Sequence, residues 1–168
     1  VMMAYRIAYC KVYHPLAYYA AFFSIRASAF SYEIMCQGRD KLEYYLADYK
    51  KRADTLTKKE QDQIRDMKIV QEMYARGFEF EKIDLYKARA KEFQIMNGKL
   101  MPSFASIDGL GDKAADQLVE AAKDGQFLSK DDLRTRAKLS KTVVDLMEDL
   151  GIIEGLPESN QLSLFDFA

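Results

Sequence analysis

Ile107-Asp108-Gly109-Leu110-Gly111-Asp112-Lys113-Ala114-Ala115 is the segment on which the reading of this chain turns. Two glycines bracket one leucine, and an amphipathic, alanine-rich run follows as far as Lys123. Glycine lets a backbone bend tightly and approach a ligand closely, while Leu110 is placed to plug into a core and fix the bend. A short helical turn from Ser103 is predicted to enter it, and a helix over 112–123 to leave it. The first amides of such a helix have no partner within it, so they face outward toward an anion. A duplex phosphate is the natural occupant. Gly109, Leu110 and Gly111 then form the candidate DNA-binding turn, and Lys113 adds one positive charge.

This pattern resembles the helix-hairpin-helix motif, which binds backbone phosphate without reading bases. A second, degenerate copy follows. Ser129 is predicted to cap a helix over 130–136, Lys138-Leu139-Ser140-Lys141 to make the turn, and 142–150 to form the next helix, closed by Gly151. Ser140 reads as a cap and Lys141 as the counterpart of Lys113. Glycine is missing here, so this copy serves either as a second phosphate contact or as structure alone.

Charge sharpens the argument. Residues 101–158 hold 7 basic and 12 acidic side chains, so the donors of a grip on DNA there are expected to be backbone amides, with Lys113 adding one charge. The whole chain of 168 residues carries 25 basic and 26 acidic groups, a balance that excludes a generic polycation.

Upstream of the hairpin the chain reads as helical. Residues 1–13 lack breakers and are rich in Tyr, Ala and Met, predicting a largely buried helix. His14-Pro15 interrupts it, because the residue before proline is pushed out of the helical region, and Pro15 suits the first position of the next helix. The aromatic residues Tyr18, Tyr19, Phe22 and Phe23 are expected in a core. From Lys41 to Arg76 apolar residues recur at three and four. Thr57 with Glu60 forms a capping box, and Gly77 fits a left-handed helix end. Phe78-Glu79-Phe80 alternates like a strand. Glu92–Met96 and Lys99–Met101, joined by Asn97-Gly98, read as a hairpin. The expected class is therefore mainly α with a small β-hairpin.

Cys10 and Cys36 are the only cysteines and His14 the only histidine, so neither a disulfide framework nor a zinc site is expected. Both thiols are expected to be buried, in a reducing cytoplasmic setting. The longest apolar stretch, Leu16–Ile25, is ten residues, too short for a bilayer, which needs roughly 20. The start at Val1 reads as an internal cut in a longer protein.

The end of the chain, Gln161-Leu162-Ser163-Leu164-Phe165-Asp166-Phe167-Ala168, sets two large hydrophobes on a short tail after Pro157. Burying a Leu and a Phe contributes roughly 1.5–3 kcal/mol each. Such a tail reads as a peptide anchor for a groove on another protein.

The order of these parts resembles the C-terminal end of the PolC-type DNA polymerase III alpha subunit family, the replicative polymerases of low-GC Gram-positive bacteria. The matching segments are Ala4–Leu16, Ile83-Asp84-Leu85-Tyr86, Ile107–Gly111, Asp124–Leu133 and Leu156–Phe165. The resemblance implies a helical fingers segment over 1–95, a tandem helix-hairpin-helix duplex-binding domain over 96–158, and an extended tail over 159–168. Within that tail, Gln161, Leu162, Ser163, Leu164 and Phe165 match the family's sliding-clamp motif. It also implies primer-template duplex, the clamp and deoxynucleoside triphosphates as partners. The catalytic aspartates, the 3′-5′ exonuclease and Mg2+ belong to the intact enzyme outside these residues, and no catalytic residue is assigned here. Arg6, Lys11 and His14 are candidates for touching the nucleotide, and the Gly109–Gly111 turn for a monovalent cation. The rival reading is a non-enzymatic helix-hairpin-helix adaptor that recruits a partner to the clamp.

Overall fold

A computed structural model describes residues 1–159. Eight α-helices, two single 3-10 turns and one two-stranded antiparallel sheet make up the regular structure of these residues, so the fold is mainly helical with a small hairpin. Helices α1 (Met2–Tyr13) and α2 (Pro15–Ile25) are broken apart at His14-Pro15 and pack on each other. A short α3 (Tyr32–Met35) leads to α4 (Arg39–Lys51) and α5 (Lys58–Ala75). At the start of α5 the capping box is complete: the Thr57 side chain accepts from the Glu60 amide, and Glu60 accepts from the Thr57 amide at 2.8 Å. Gly77 closes that helix at φ +82°.

Strands β1 (Gln94–Met96) and β2 (Lys99–Met101) pair through Asn97-Gly98. Both turn residues take positive φ, 53° and 74°, as a two-residue hairpin turn of the primed type demands. Helices α6 (Asp112–Lys123), α7 (Lys130–Arg136) and α8 (Lys141–Asp149) are the last helices of the described residues.

Two hydrophobic clusters meet at the hairpin. One is built by Tyr19, Phe23, Leu42, Met67 and Met73 from α2, α4 and α5, with Phe93 and Leu100. The other gathers Leu118, Leu133 and Met147 from the C-terminal helices, with Leu110 from the turn before them and Ile83, Leu85 and Met101. Successive strand residues point to opposite faces. On β2, Leu100 (0% exposed) therefore enters the first cluster and Met101 (3%) the second. One short strand joins two cores.

Three expectations fail. Helix α1 has no buried residue: it packs on α2, while Tyr5 (70% exposed), Val12 (63%) and Tyr13 (65%) face outward. Apolar composition shows what a helix can bury, but a neighbour has to be present to cover it. Cys10 is consequently exposed, whereas Cys36 is partly buried. Phe78-Glu79-Phe80 forms no strand, only an isolated bridge between Phe80 and Leu100. The reason lies in packing: Phe80 sits tilted and edge-on among Phe23, Phe30 and Phe93 instead of extending a ladder.

Ser129 is fully buried, and its side chain accepts from the Asp132 amide at 3.1 Å. Ser129→Ala removes this cap and should cost about 1 kcal/mol, measured as a lowered midpoint in urea unfolding of the whole chain with an unchanged slope.

Candidate nucleic-acid interface

The first hairpin is set by three residues with different duties. A single 3-10 turn (Phe104–Ser106) leads in, and the Leu110 amide donates to the Ile107 carbonyl at 3.1 Å. Gly109 takes φ +82°, a left-handed conformation that favours glycine. Leu110 is buried beneath the turn. Gly111 takes φ −71° and ψ 162° as the N-cap of α6, and no side chain caps it. Its own carbonyl starts the helix by accepting from Ala115 at 3.0 Å. The amides of the first turn of α6 have no partner inside the helix and no side-chain acceptor among the described residues. Gly109, Gly111, Asp112 and Lys113 are exposed. The bend is open, and its donors are free.

A Cβ at Gly111 would meet nothing within 4 Å. Neither strain nor internal crowding requires glycine there. At Gly109 a Cβ would lie 3.8 Å from Val143 Cγ2, which places the start of α8 beside the first turn.

The second hairpin repeats the backbone with different residues. Lys138 takes the left-handed conformation at φ 52°, Leu139 is buried, and Ser140 caps α8 at φ −72° and ψ 153°. Lys138-Leu139-Ser140 thus stands where Gly109-Leu110-Gly111 stands in the first. In this alignment Lys141 is the first residue of α8, as Asp112 is of α6, so it is the counterpart of Asp112 and not of Lys113. The residue types gave no cue to this, because lysine rarely adopts positive φ. The Ser140 side chain accepts from the Val143 amide at 3.4 Å, so one donor of this turn is occupied. Lys113, Lys138 and Lys141 are exposed, and among the described residues none forms an ion pair.

Arg136 holds the connection between the two hairpins, a role the sequence did not signal. Its guanidinium donates to the carbonyls of Ala121 (2.5 Å), Gly125 (3.2 Å) and Gln126 (3.2 Å), and lies 4.5 Å from the centre of the Phe127 ring. It closes the C-terminal end of α6, and Ser129 caps the start of α7.

The three nucleotide candidates lie on α1 and at its junction with α2. Lys11 pairs with Glu72 on α5 at 2.9 Å and lies over the Tyr18 ring. Glu72 also accepts from the Tyr19 hydroxyl at 2.8 Å, and burial pushes that hydroxyl up to about 12. Arg6 borders an apolar groove with Ile7, Tyr18 and Phe22. His14 sits exposed at the α1–α2 junction and makes no side-chain cap to α2. The motif Gln161–Phe165 lies outside the described residues. The chain leading to it is tied to α7, where the Lys130 and Asp131 amides donate to the Pro157 and Glu158 carbonyls at 2.9 and 3.2 Å. Among the described residues no group of three His, Cys, Asp or Glu side chains converges as metal ligands.

Residues 77–162 match the helix-hairpin-helix motif. The chain belongs to the helix-hairpin-helix family. The match starts before the β-hairpin, consistent with Ile83 and Leu85 packing in the cluster of the C-terminal helices. Over 99% of its length the chain is also 48% identical to the PolC-type DNA polymerase III of Streptococcus sanguinis (strain SK36). It is 47% identical to that of Streptococcus pyogenes serotype M5 (strain Manfredo) over the same share. In each case the chain spans 12% of the length of the relative. The similarity covers helices and hairpins alike. No helix among the described residues is long and apolar enough to cross a membrane.

Proposed function

We propose that this chain is the part of a replicative DNA-directed DNA polymerase that grips the duplex backbone and tethers the enzyme to its sliding clamp. The observation that carries the reading is the open first turn of α6, with uncapped amides behind Gly111 and no internal need for glycine at that position. Similarity along nearly the whole chain to PolC-type polymerases supports the same reading. Amides that point at phosphate carry no sequence information, which suits an enzyme that has to hold any template. Gly109, Leu110, Gly111 and Lys113 form the main contact, with Ser140 and Lys141 beside it.

In the intact cytoplasmic polymerase, the primer 3′ hydroxyl would attack a deoxynucleoside triphosphate. Mg2+ and the catalytic carboxylates, and a 3′-5′ exonuclease, would be carried outside these residues. Residues 1–95 would serve as the end of the fingers and 96–158 as the duplex domain. Gln161–Phe165 would enter the clamp's groove. Such a tether makes rebinding intramolecular at an effective concentration on the order of millimolar. Without catalytic carboxylates the chain alone extends no primer.

Fluorescence anisotropy of the 168-residue chain with duplexes of unrelated sequence tests the grip. Affinities should agree within about 2-fold. The slope of log K against log salt should be about −2 to −4, as for two to four neutralised phosphates. Absence of duplex binding at low salt, or a strong sequence preference, would overturn the proposal.

A further inference from the structure

The turn that holds the free amides is flanked by two carboxylates, and each is held by a residue distant in sequence. Asp108 accepts from the Ser31 hydroxyl and lies 3.9 Å from the Lys59 ammonium at the start of α5. Asp112, the first residue of α6, pairs with Lys91 at 3.1 Å. Ser31 and Lys59 lie outside the matched segment 77–162, and Lys91 lies in the connection between α5 and β1. The Asp108 contacts therefore join the helical N-terminal part to the mouth of the hairpin, and Lys91 reaches the same mouth from the connection before β1. Lys91 and Asp112 are both more than half exposed, where an ion pair adds little to stability. An isolated carboxylate at that mouth would repel an approaching phosphate. Its partner cancels the repulsion, and the pairing raises the pKa of Lys91, which stays fully charged at neutral pH.

We propose that Lys91, assisted by Lys59, is a positioning residue of the phosphate site: it neutralises the carboxylate beside the α6 amides, so the duplex-binding surface extends beyond the hairpin onto the connection before β1 and the start of α5. The inference rests on the reading of the hairpin as a duplex grip. It accounts for a phosphate site in a region with an acidic excess. The amides attract the phosphate, and the distant lysines silence the two carboxylates nearest them.

A charge cycle on the whole chain, read by duplex anisotropy at low salt, tests it. Lys91→Gln should weaken binding about 3- to 5-fold, with an unchanged melting temperature, and Lys91→Arg should restore it. Asp112→Asn alone should bind as tightly as the native chain or more tightly. Combined with Lys91→Gln, it should return affinity to within about 2-fold of native. An equal loss from Lys91→Gln in the native and Asp112→Asn backgrounds would make Lys91 a direct phosphate ligand and overturn the proposal, as would no loss at all. Gly111→Val measured alongside separates the two levels. If it binds normally, the duplex reading itself falls; if it loses binding while the cycle is additive, only the role of Lys91 does.

Discussion

Gly111→Val is expected to lower duplex affinity at least about 10-fold while the protein stays folded. The backbone at Gly111, φ −71° and ψ 162°, is extended and open to any residue, and a Cβ there touches nothing within 4 Å. Valine is a poorer N-cap than glycine, at a cost of about 1 kcal/mol or less. In a domain of this size that lowers the melting temperature by roughly 2–4 °C. What valine removes is access. Its branched side chain projects into the open space at the mouth of the turn, where a phosphate has to come within hydrogen-bond reach of the α6 amides. Gly109→Val is a poor substitute as a probe. At φ +82° a branched side chain strains the backbone, so lost binding would mix with lost stability. Native-like affinity of Gly111→Val in anisotropy would show that the amides are not the grip.

Leu164→Ala combined with Phe165→Ala should abolish measurable clamp association in calorimetry. Two side chains each contributing roughly 1.5–3 kcal/mol on burial correspond to about 10²- to 10⁴-fold in affinity when both are removed. Short primer extension by an intact polymerase carrying the change should be nearly unaffected, because a clamp tether acts on rebinding and not on the chemical step. Long extension in the presence of the clamp should collapse to the length made without it. Equal clamp binding by the doubly substituted protein would sink the assignment of Gln161–Phe165.

Local signals in the chain were reliable where one short stretch holds both partners of an interaction. The Thr57–Glu60 capping box, the Asn97-Gly98 turn, the left-handed Gly77 and the glycine bend at 109–111 are all of this kind. Each depends on residues within a few positions of one another, so backbone geometry follows from residue type alone. Signals failed where the partner is remote. The apolar content of α1 suggested burial, yet it packs mainly on α2 and none of its residues is buried. Phe80 alternates like a strand residue, but Phe23 of α2 and Phe93 just before β1 hold it. Lys138 adopts a conformation usually left to glycine, because the second hairpin repeats the first in shape and Leu139 anchors it.

The site divides along the same line. The cradle itself, two glycines around a buried leucine before an uncapped helix, is written in nine consecutive residues, since the unpaired amides of a helix start are a property of the backbone. The electrostatics around it are not. Asp108 and Asp112 find Ser31, Lys59 and Lys91 only once α5 and the connection to β1 have packed beside the turn. Coulomb interactions depend on distance through space and not along the chain. An acidic stretch in the sequence therefore becomes, in the folded protein, a turn whose flanking charges are matched.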